Sequence, residues 1–337
     1  MKAVVYRGTK QLEVVQIPEP ELPEGGAVIK VTACGLCGSD IVKIRQGIFK
    51  DGAVPGHEIV GYIHKIGENS NFKVGDRVVA GHHVPCFNCV FCKNGNYSMC
   101  RQFKATNINP GGFCEYLAVS RAHLENTVFK VPDSVPDTAA SFTEPVACCL
   151  RAVKRADVKR DDVVLVIGLG SIGLIMGQVI KHFGAKVVAC DLLDERIQLA
   201  RELGFDAAYK YTNGGEISGL VRANFQQEGA DKVFLASGSA KSLPLATSAA
   251  RDGGTILVFA SVPNYEAGFA NNDIYYRELT VLGSYSPSPD DLKTSLQLIT
   301  DEVIRTDRLY KPCQLEDINA AINDTCSNRI LKAYLTL

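Results

Sequence analysis

The sequence has no long hydrophobic run. Its longest apolar stretches, such as Val163–Ile167, have the length of a strand and are far too short to cross a bilayer. It also lacks a charge excess of either sign: 36 Lys and Arg stand against 37 Asp and Glu, a net charge of −1, and no segment is strongly basic. Nucleic acid and anionic membrane are therefore not expected as partners. Repeats, low-complexity tracts and coiled-coil heptads are absent, which excludes solenoids and fibrous assemblies. The stretch MKAVVYRGTKQLEVV at the start reads as strand, turn and second strand and holds no signal-peptide core, so the expectation is a cytoplasmic protein. With 46% apolar and 22% charged residues over 337 positions, the composition is that of an ordinary globular chain of about two domains.

Cysteine, in contrast, is abundant, at twelve residues. A disulfide framework does not suit a large chain without a secretion signal, and clustered cysteines in that setting more often bind metal. Cys86, Cys89, Cys92 and Cys100 are clustered, and Cys34 and Cys37 form a looser pair. Cys114, Cys148, Cys149, Cys190, Cys313 and Cys326 show no ligand-like spacing and read mostly as inert thiols.

The first 145 or so residues carry short β-type runs at 27–33, 59–66 and 77–80, separated by turn residues such as Gly75-Asp76 and Asn109-Pro110-Gly111-Gly112. Strands at this spacing predict a small β-barrel-like domain. Near Glu144 the pattern changes. A helical stretch at 145–156 leads to the apolar strand at 163–167, and strands and helices then alternate through 255–260. That alternation predicts a doubly wound parallel sheet, making the chain α/β overall. A helix at 290–300 and terminal strands follow.

Three groups of residues carry chemistry. The first is Gly168-Leu169-Gly170-Ser171-Ile172-Gly173, which follows a strand and opens a helix. Gly168 allows the tight turn, Gly170 lets the backbone approach a pyrophosphate, and Gly173 lets the helix pack closely, while the helix N-terminus offers free N–H groups to the phosphates. Asp191 ends the next strand, where a carboxylate accepts the adenosine ribose hydroxyls and repels a 2′-phosphate, so NAD is favoured over NADP. Arg196 stands close enough to weaken that preference.

The second group is Cys86-x-x-Cys89-x-x-Cys92-x7-Cys100, four thiolates able to close a tetrahedral shell around a structural zinc, with an iron–sulfur cluster as the chemical alternative. The third is Cys37 with Ser39, His57 with Glu58, and Glu144. One Cys, one His and one Glu leave a fourth position open, the pattern of a catalytic zinc that acts as a Lewis acid. Cys34 and Cys37 could instead form a redox pair. The remaining histidines, His64, His82, His83, His123 and His182, read as surface or satisfied polar groups.

In this order, with Val74-Gly75-Asp76-Arg77-Val78 and Gly111-Gly112-Phe113-x-Glu115-Tyr116 between them, these motifs resemble the zinc-containing medium-chain dehydrogenases over essentially the whole chain. The Glu144-Pro145 step resembles the polyol branch (sorbitol, galactitol-phosphate and threonine dehydrogenases), since the simple-alcohol branch carries a Cys there. The resemblance implies a GroES-like catalytic domain from 1–145 and 284–337 around a Rossmann NAD-binding domain at 146–283. It implies two zincs per chain. The catalytic one is held by Cys37, His57 and a glutamate, either Glu58 or Glu144 or the two in exchange; the structural one by Cys86, Cys89, Cys92 and Cys100. Ser39 matches the hydroxyl that passes the alcohol proton toward solvent, and a homodimer or homotetramer is implied. The expected activity is interconversion of a secondary alcohol and a ketone on a polyol-, cyclitol- or sugar-like small molecule. A simple alcohol or aldehyde dehydrogenase and a non-catalytic NAD-binding redox sensor are the competing expectations. Two departures stand out: Ile41, Val42 and Lys43 occupy the stretch where many relatives carry a relay His, and Gly283-Ser284-Tyr285-Ser286 replaces an Arg that sorbitol-type relatives place near the substrate.

Overall fold

The structure is a computed structural model that describes residues 1–8, 10–68, 71–211, 214–225, 227–261 and 268–337. It divides into two units, Met1–Pro145 with Ser288–Leu337, and Val146–Pro287.

The first unit begins with the hairpin β1 (Lys2–Arg7) and β2 (Gln11–Gln16), paired antiparallel from Lys2↔Gln16 to Arg7↔Gln11. The strands β3 (Ala27–Gly35), β4 (Glu58–Ile66), β5 (Arg77–Ala80), β6 (Tyr116–Val119) and β7 (Val128–Lys130) follow. In the second unit come β8 (Val163–Ile167), β9 (Lys186–Asp191), β10 (Ala207–Lys210), β11 (Ala230–Leu235), β12 (Ala250–Val258) and β13 (Thr280–Gly283). The tail adds β14 (Lys311–Gln314) and β15 (Ala333–Thr336) to the first unit.

Among the described residues the large sheet of the first unit runs β14-β15-β3-β4-β5-β7, with β6 also paired to β3. The central strand β3 is buried along most of its length, with only Lys30 and Thr32 reaching the surface, as a strand paired on both sides inside the sheet is. Its core gathers Val4, Ile29, Ile59, Phe113, Leu117 and Leu335, so the first and last strands of the chain share one apolar interior. Two register shifts between β3 and β4 bring Gly35 opposite Glu58 at the strand ends. A side chain at Gly35 would meet a Glu58 carboxylate oxygen at 2.0 Å, so the glycine is what admits that carboxylate.

The sheet of the second unit is parallel throughout, in the order β10-β9-β8-β11-β12-β13. The strand β8, Val-Val-Leu-Val-Ile, is buried at every position, as expected where helices cover both faces. The order reverses beside β8, and in open α/β sheets the ligand crevice lies at that switch point, at the carboxyl ends of the strands. The sequence pattern did not reveal β10 and β13. Each has four residues and only partial burial, which leaves too little periodicity to read. No helix among the described residues is long and apolar enough to cross a membrane.

Candidate active site and cofactor sites

Cys37 sits at the junction of β3 and a helix, Gly38–Gln46, and caps that helix: its sulfur accepts from the Ser39 amide at 3.5 Å. The Ser39 hydroxyl donates to the same sulfur at 3.3 Å, and Ser39 itself is exposed. In the first turn of the helix Asp40 is buried, and its carboxylate lies 3.4 Å from His57 Nδ1. A carboxylate on that nitrogen fixes the tautomer and leaves Nε2 for a metal. Burial works against a charged His57, but Asp40 and then Cys37 outweigh it and hold the imidazole well above its usual pKa.

His57 leads into Glu58, the first residue of β4 and almost wholly buried. Ligand atoms of Cys37, His57 and Glu58 all lie within 4.8 Å of one another. A thiolate, an imidazole and a carboxylate at that separation fit a tetrahedral zinc with one open position. Glu144 falls outside this set. It is buried in the first turn of the helix Thr143–Arg155, and its charge acts on Lys332. Ser295 Oγ donates to the Thr143 carbonyl at 2.7 Å and anchors that turn.

Lys332, which the sequence did not flag, stands just before β15 with only 4% of its surface exposed. Its ammonium lies 2.8 and 2.6 Å from the two Glu58 oxygens and donates to the Leu36 carbonyl at 3.2 Å. Burial pulls its pKa down, yet Glu58 and Cys37 prevail and raise it above the ordinary lysine value.

The four clustered cysteines also converge, their sulfurs within 4.8 Å of one another and none in a disulfide. Cys86 and Cys92 sulfurs are 3.9 Å apart, Cys89 and Cys92 3.6 Å. Zinc–sulfur bonds of about 2.3 Å in a tetrahedron give edges of about 3.8 Å, so the spacing suits that ion. Amides of Cys86 and Cys89 point at the sulfurs of Cys100 and Cys86 at 3.4 Å, and Phe103 and Tyr97 pack alongside. Cys34 by contrast is sealed in the core, where burial pushes its thiol well up, which removes the reactivity a redox partner for Cys37 would need.

In the second unit Gly168 has φ +94°, a conformation open to glycine, and it follows β8 directly. Gly170 opens the helix Ser171–His182 with no side-chain cap, which leaves its first amides free for an anion. A side chain at Gly173 would lie 1.9 Å from the Gly168 carbonyl, whereas one at Gly170 would meet nothing within 4 Å. Ser171 and Ile172 form the first turn between them. Asp191 ends β9 beside this loop, accepting from the amides of Leu169 at 2.6 Å, Leu192 at 2.8 Å and Leu193 at 3.0 Å. Arg196 lies 3.6 Å from its carboxylate.

Comparison with known proteins matches two stretches of the chain. Residues 23–133 match the alcohol dehydrogenase GroES-like domain, and residues 171–301 match the zinc-binding dehydrogenase family. The sorbitol dehydrogenase of Halalkalibacterium halodurans is 32% identical, the alignment covering 100% of this chain and 99% of that one. The chain belongs to the zinc-containing medium-chain dehydrogenases, in their polyol branch.

Among solved structures, galactitol-1-phosphate dehydrogenase from Escherichia coli superposes with a TM-score of 0.87 at 27% identity and full coverage of both chains. A protein described as a zinc-binding dehydrogenase from Sinorhizobium meliloti, bound to NADP, superposes with a TM-score of 0.88 at 27% identity, covering 100% of this chain and 99% of that one. The fold is therefore a GroES-like unit with a Rossmann unit, and zinc and a pyridine nucleotide belong to the family.

Within this family member one further group reaches the Cys37–His57 cluster. The His82 ring lies against the His57 ring with centroids 4.6 Å apart, and His83 continues the stack at 4.1 Å. Spacing gave no reason to link them to His57, because the link is made by strand pairing.

Proposed function

We propose that this chain interconverts a secondary alcohol and a ketone on a polyol- or sugar-like small molecule, with NAD as partner and two zincs per chain. The observation that carries the reading is the convergence of Cys37, His57 and Glu58, with the Ser39 hydroxyl 3.3 Å from the Cys37 sulfur. Cys37 and His57 hold the catalytic zinc together with a carboxylate. Glu58 belongs to the converged set, and Glu144 is the second carboxylate, able to take its place. Cys86, Cys89, Cys92 and Cys100 hold the structural zinc. When bound, the catalytic ion supplies a Lewis acid that favours loss of the hydroxyl proton, and NAD takes the hydride. Ser39, exposed beside Cys37, accepts that proton at its Oγ and hands its own to solvent. Asp40 keeps the His57 ring in one orientation, and Lys332 offsets the buried charge of Glu58.

We assign catalysis to the unit Met1–Pro145 with Ser288–Leu337, and nucleotide binding to Val146–Pro287 through Gly168, Gly170, Ser171, Ile172 and Gly173. Asp191 supports NAD over NADP because its carboxylate opposes a 2′-phosphate, although Arg196 at 3.6 Å tempers that charge.

The test is direct. The purified protein is offered NAD or NADP with polyols, cyclitols, sugar phosphates, threonine and simple alcohols, and reduced cofactor is followed by absorbance. NADH formation on a polyol-like compound, abolished by a chelator and by Cys37→Ser while NAD binding persists, is the expected result. Normal turnover by Cys37→Ser would refute the zinc mechanism, and a preference for NADP would refute the role given to Asp191.

A further inference from the structure

The proposed activity leaves the means of substrate recognition open, and the histidine stack supplies one. Antiparallel pairing of β4 with β5 sets Ile59 opposite Ala80 and Val60 opposite Val79. Continuing that register past the strand ends brings His57 opposite His82. The backbone around His82 is tied down from several sides. The Gly81 amide donates to the Thr127 carbonyl at 2.8 Å, His123 Nε2 lies 3.2 Å from the His82 carbonyl, and the Val84 amide donates to Thr106 Oγ1 at 2.9 Å.

The side chains of the neighbouring histidines are committed. His83 Nδ1 bonds the Thr106 carbonyl, His123 Nδ1 pairs with Ser120 Oγ at 2.8 Å, and His57 faces Asp40. His82 differs. Among the described residues no hydrogen bond reaches its imidazole, although the ring is half-buried and lies against the ring of a proposed zinc ligand. A half-buried ring whose nitrogens are bonded by no protein group is suited to a ligand that supplies the bond as it displaces solvent.

We propose that His82 is a specificity residue whose imidazole hydrogen-bonds the hydroxyl on the carbon next to the one that is oxidised. A polyol carries that hydroxyl and a simple secondary alcohol lacks it, so His82 is what makes the site a polyol site. The proposal rests on the polyol reading above.

The experiment measures kcat/KM of the zinc-loaded full-length enzyme with NAD on 2,3-butanediol and glycerol, and on 2-butanol and 2-propanol, which lack the neighbouring hydroxyl. The variants are His82→Phe, which keeps the ring packing and removes both hydrogen-bonding groups, and His82→Gln, which restores a donor and an acceptor. Zinc content and NADH affinity are measured alongside. In His82→Phe the diol and triol values should fall about tenfold, the loss of one hydrogen bond, while the values for the simple alcohols, zinc content and NADH affinity hold. His82→Gln should recover part of the diol activity. A wild-type enzyme that favours the polyols, combined with a His82→Phe that affects all substrates equally or none, would overturn the role of His82 and leave the polyol reading standing. A wild-type enzyme that uses the simple alcohols as well as the polyols would overturn both.

Discussion

At the scale of single residues, the Glu58–Lys332 pair decides the most. Both side chains are nearly inaccessible, at 1% and 4%, and both are charged. Each of these ions has left water beside the other, in the space that Gly35 leaves for the carboxylate. Removing one partner strands the other. In the zinc-free protein, Lys332→Met should lower the stability of the first unit by about 3–5 kcal/mol, read as a shift of the denaturant midpoint. Adding Glu58→Gln to Lys332→Met should recover part of the loss, since no uncompensated charge then remains. A double variant no more stable than the single one would show that Lys332 acts through packing instead. Neither the ion pair nor its importance could be read from spacing, because 274 positions separate the partners in sequence.

At the scale of elements, the glycine loop after β8 separates two roles that look alike in the sequence. Gly173 is needed by the fold, since a methyl there would meet the Gly168 carbonyl at 1.9 Å. Gly170 faces open space and is needed only when something approaches it. Gly173→Ala should therefore lower the melting temperature and weaken NAD binding together. Gly170→Ala should melt as the wild type does and lose NAD affinity alone, by about tenfold or more, as measured by fluorescence titration of NADH. An unchanged affinity in Gly170→Ala would mean that the pyrophosphate does not lie over this residue. The strands around the loop were legible where they are apolar and long: 163–167 was read to the residue, and 187–190 lies inside β9. The helix expected at 145–156 begins at Thr143, which places Glu144 in its first turn and not in the lead-in. Short, half-exposed β10 and β13 were missed, because their pairing holds them in the sheet more than their side-chain pattern does.

At the scale of the whole molecule, the two units have separate cores, one around β3 and β4 and one around β8 and β11. The four-cysteine loop belongs to the first unit and carries only a small cluster of its own, Cys92, Cys100 and Phe103 with a few partly buried neighbours. So little apolar area orders a loop weakly, and an ion held by the four sulfurs, as proposed above, would supply the missing stabilisation. Cys100→Ser should reduce zinc content from about two per chain to about one, measured by metal analysis, and destabilise the first unit. NADH affinity should stay near that of the wild type, since the glycine loop is built on the other core. Zinc content that stays unchanged would show that the four sulfurs do not hold it.

The sequence by itself determined the arrangements that depend on local spacing. Four cysteines within one loop, a glycine turn between a strand and a helix, and an acidic residue ending the next strand are each arranged over short stretches of chain, where covalent geometry limits the outcomes. Only the tertiary structure decided which distant groups meet. Pairing of β4 with β5 set His82 against His57, and return of the tail to pair β15 with β3 accompanies the placement of Lys332 on Glu58. Such meetings are fixed by strand register and by burial of a shared core, and these depend on the whole chain folding at once. No local pattern around His82 or Lys332 records them.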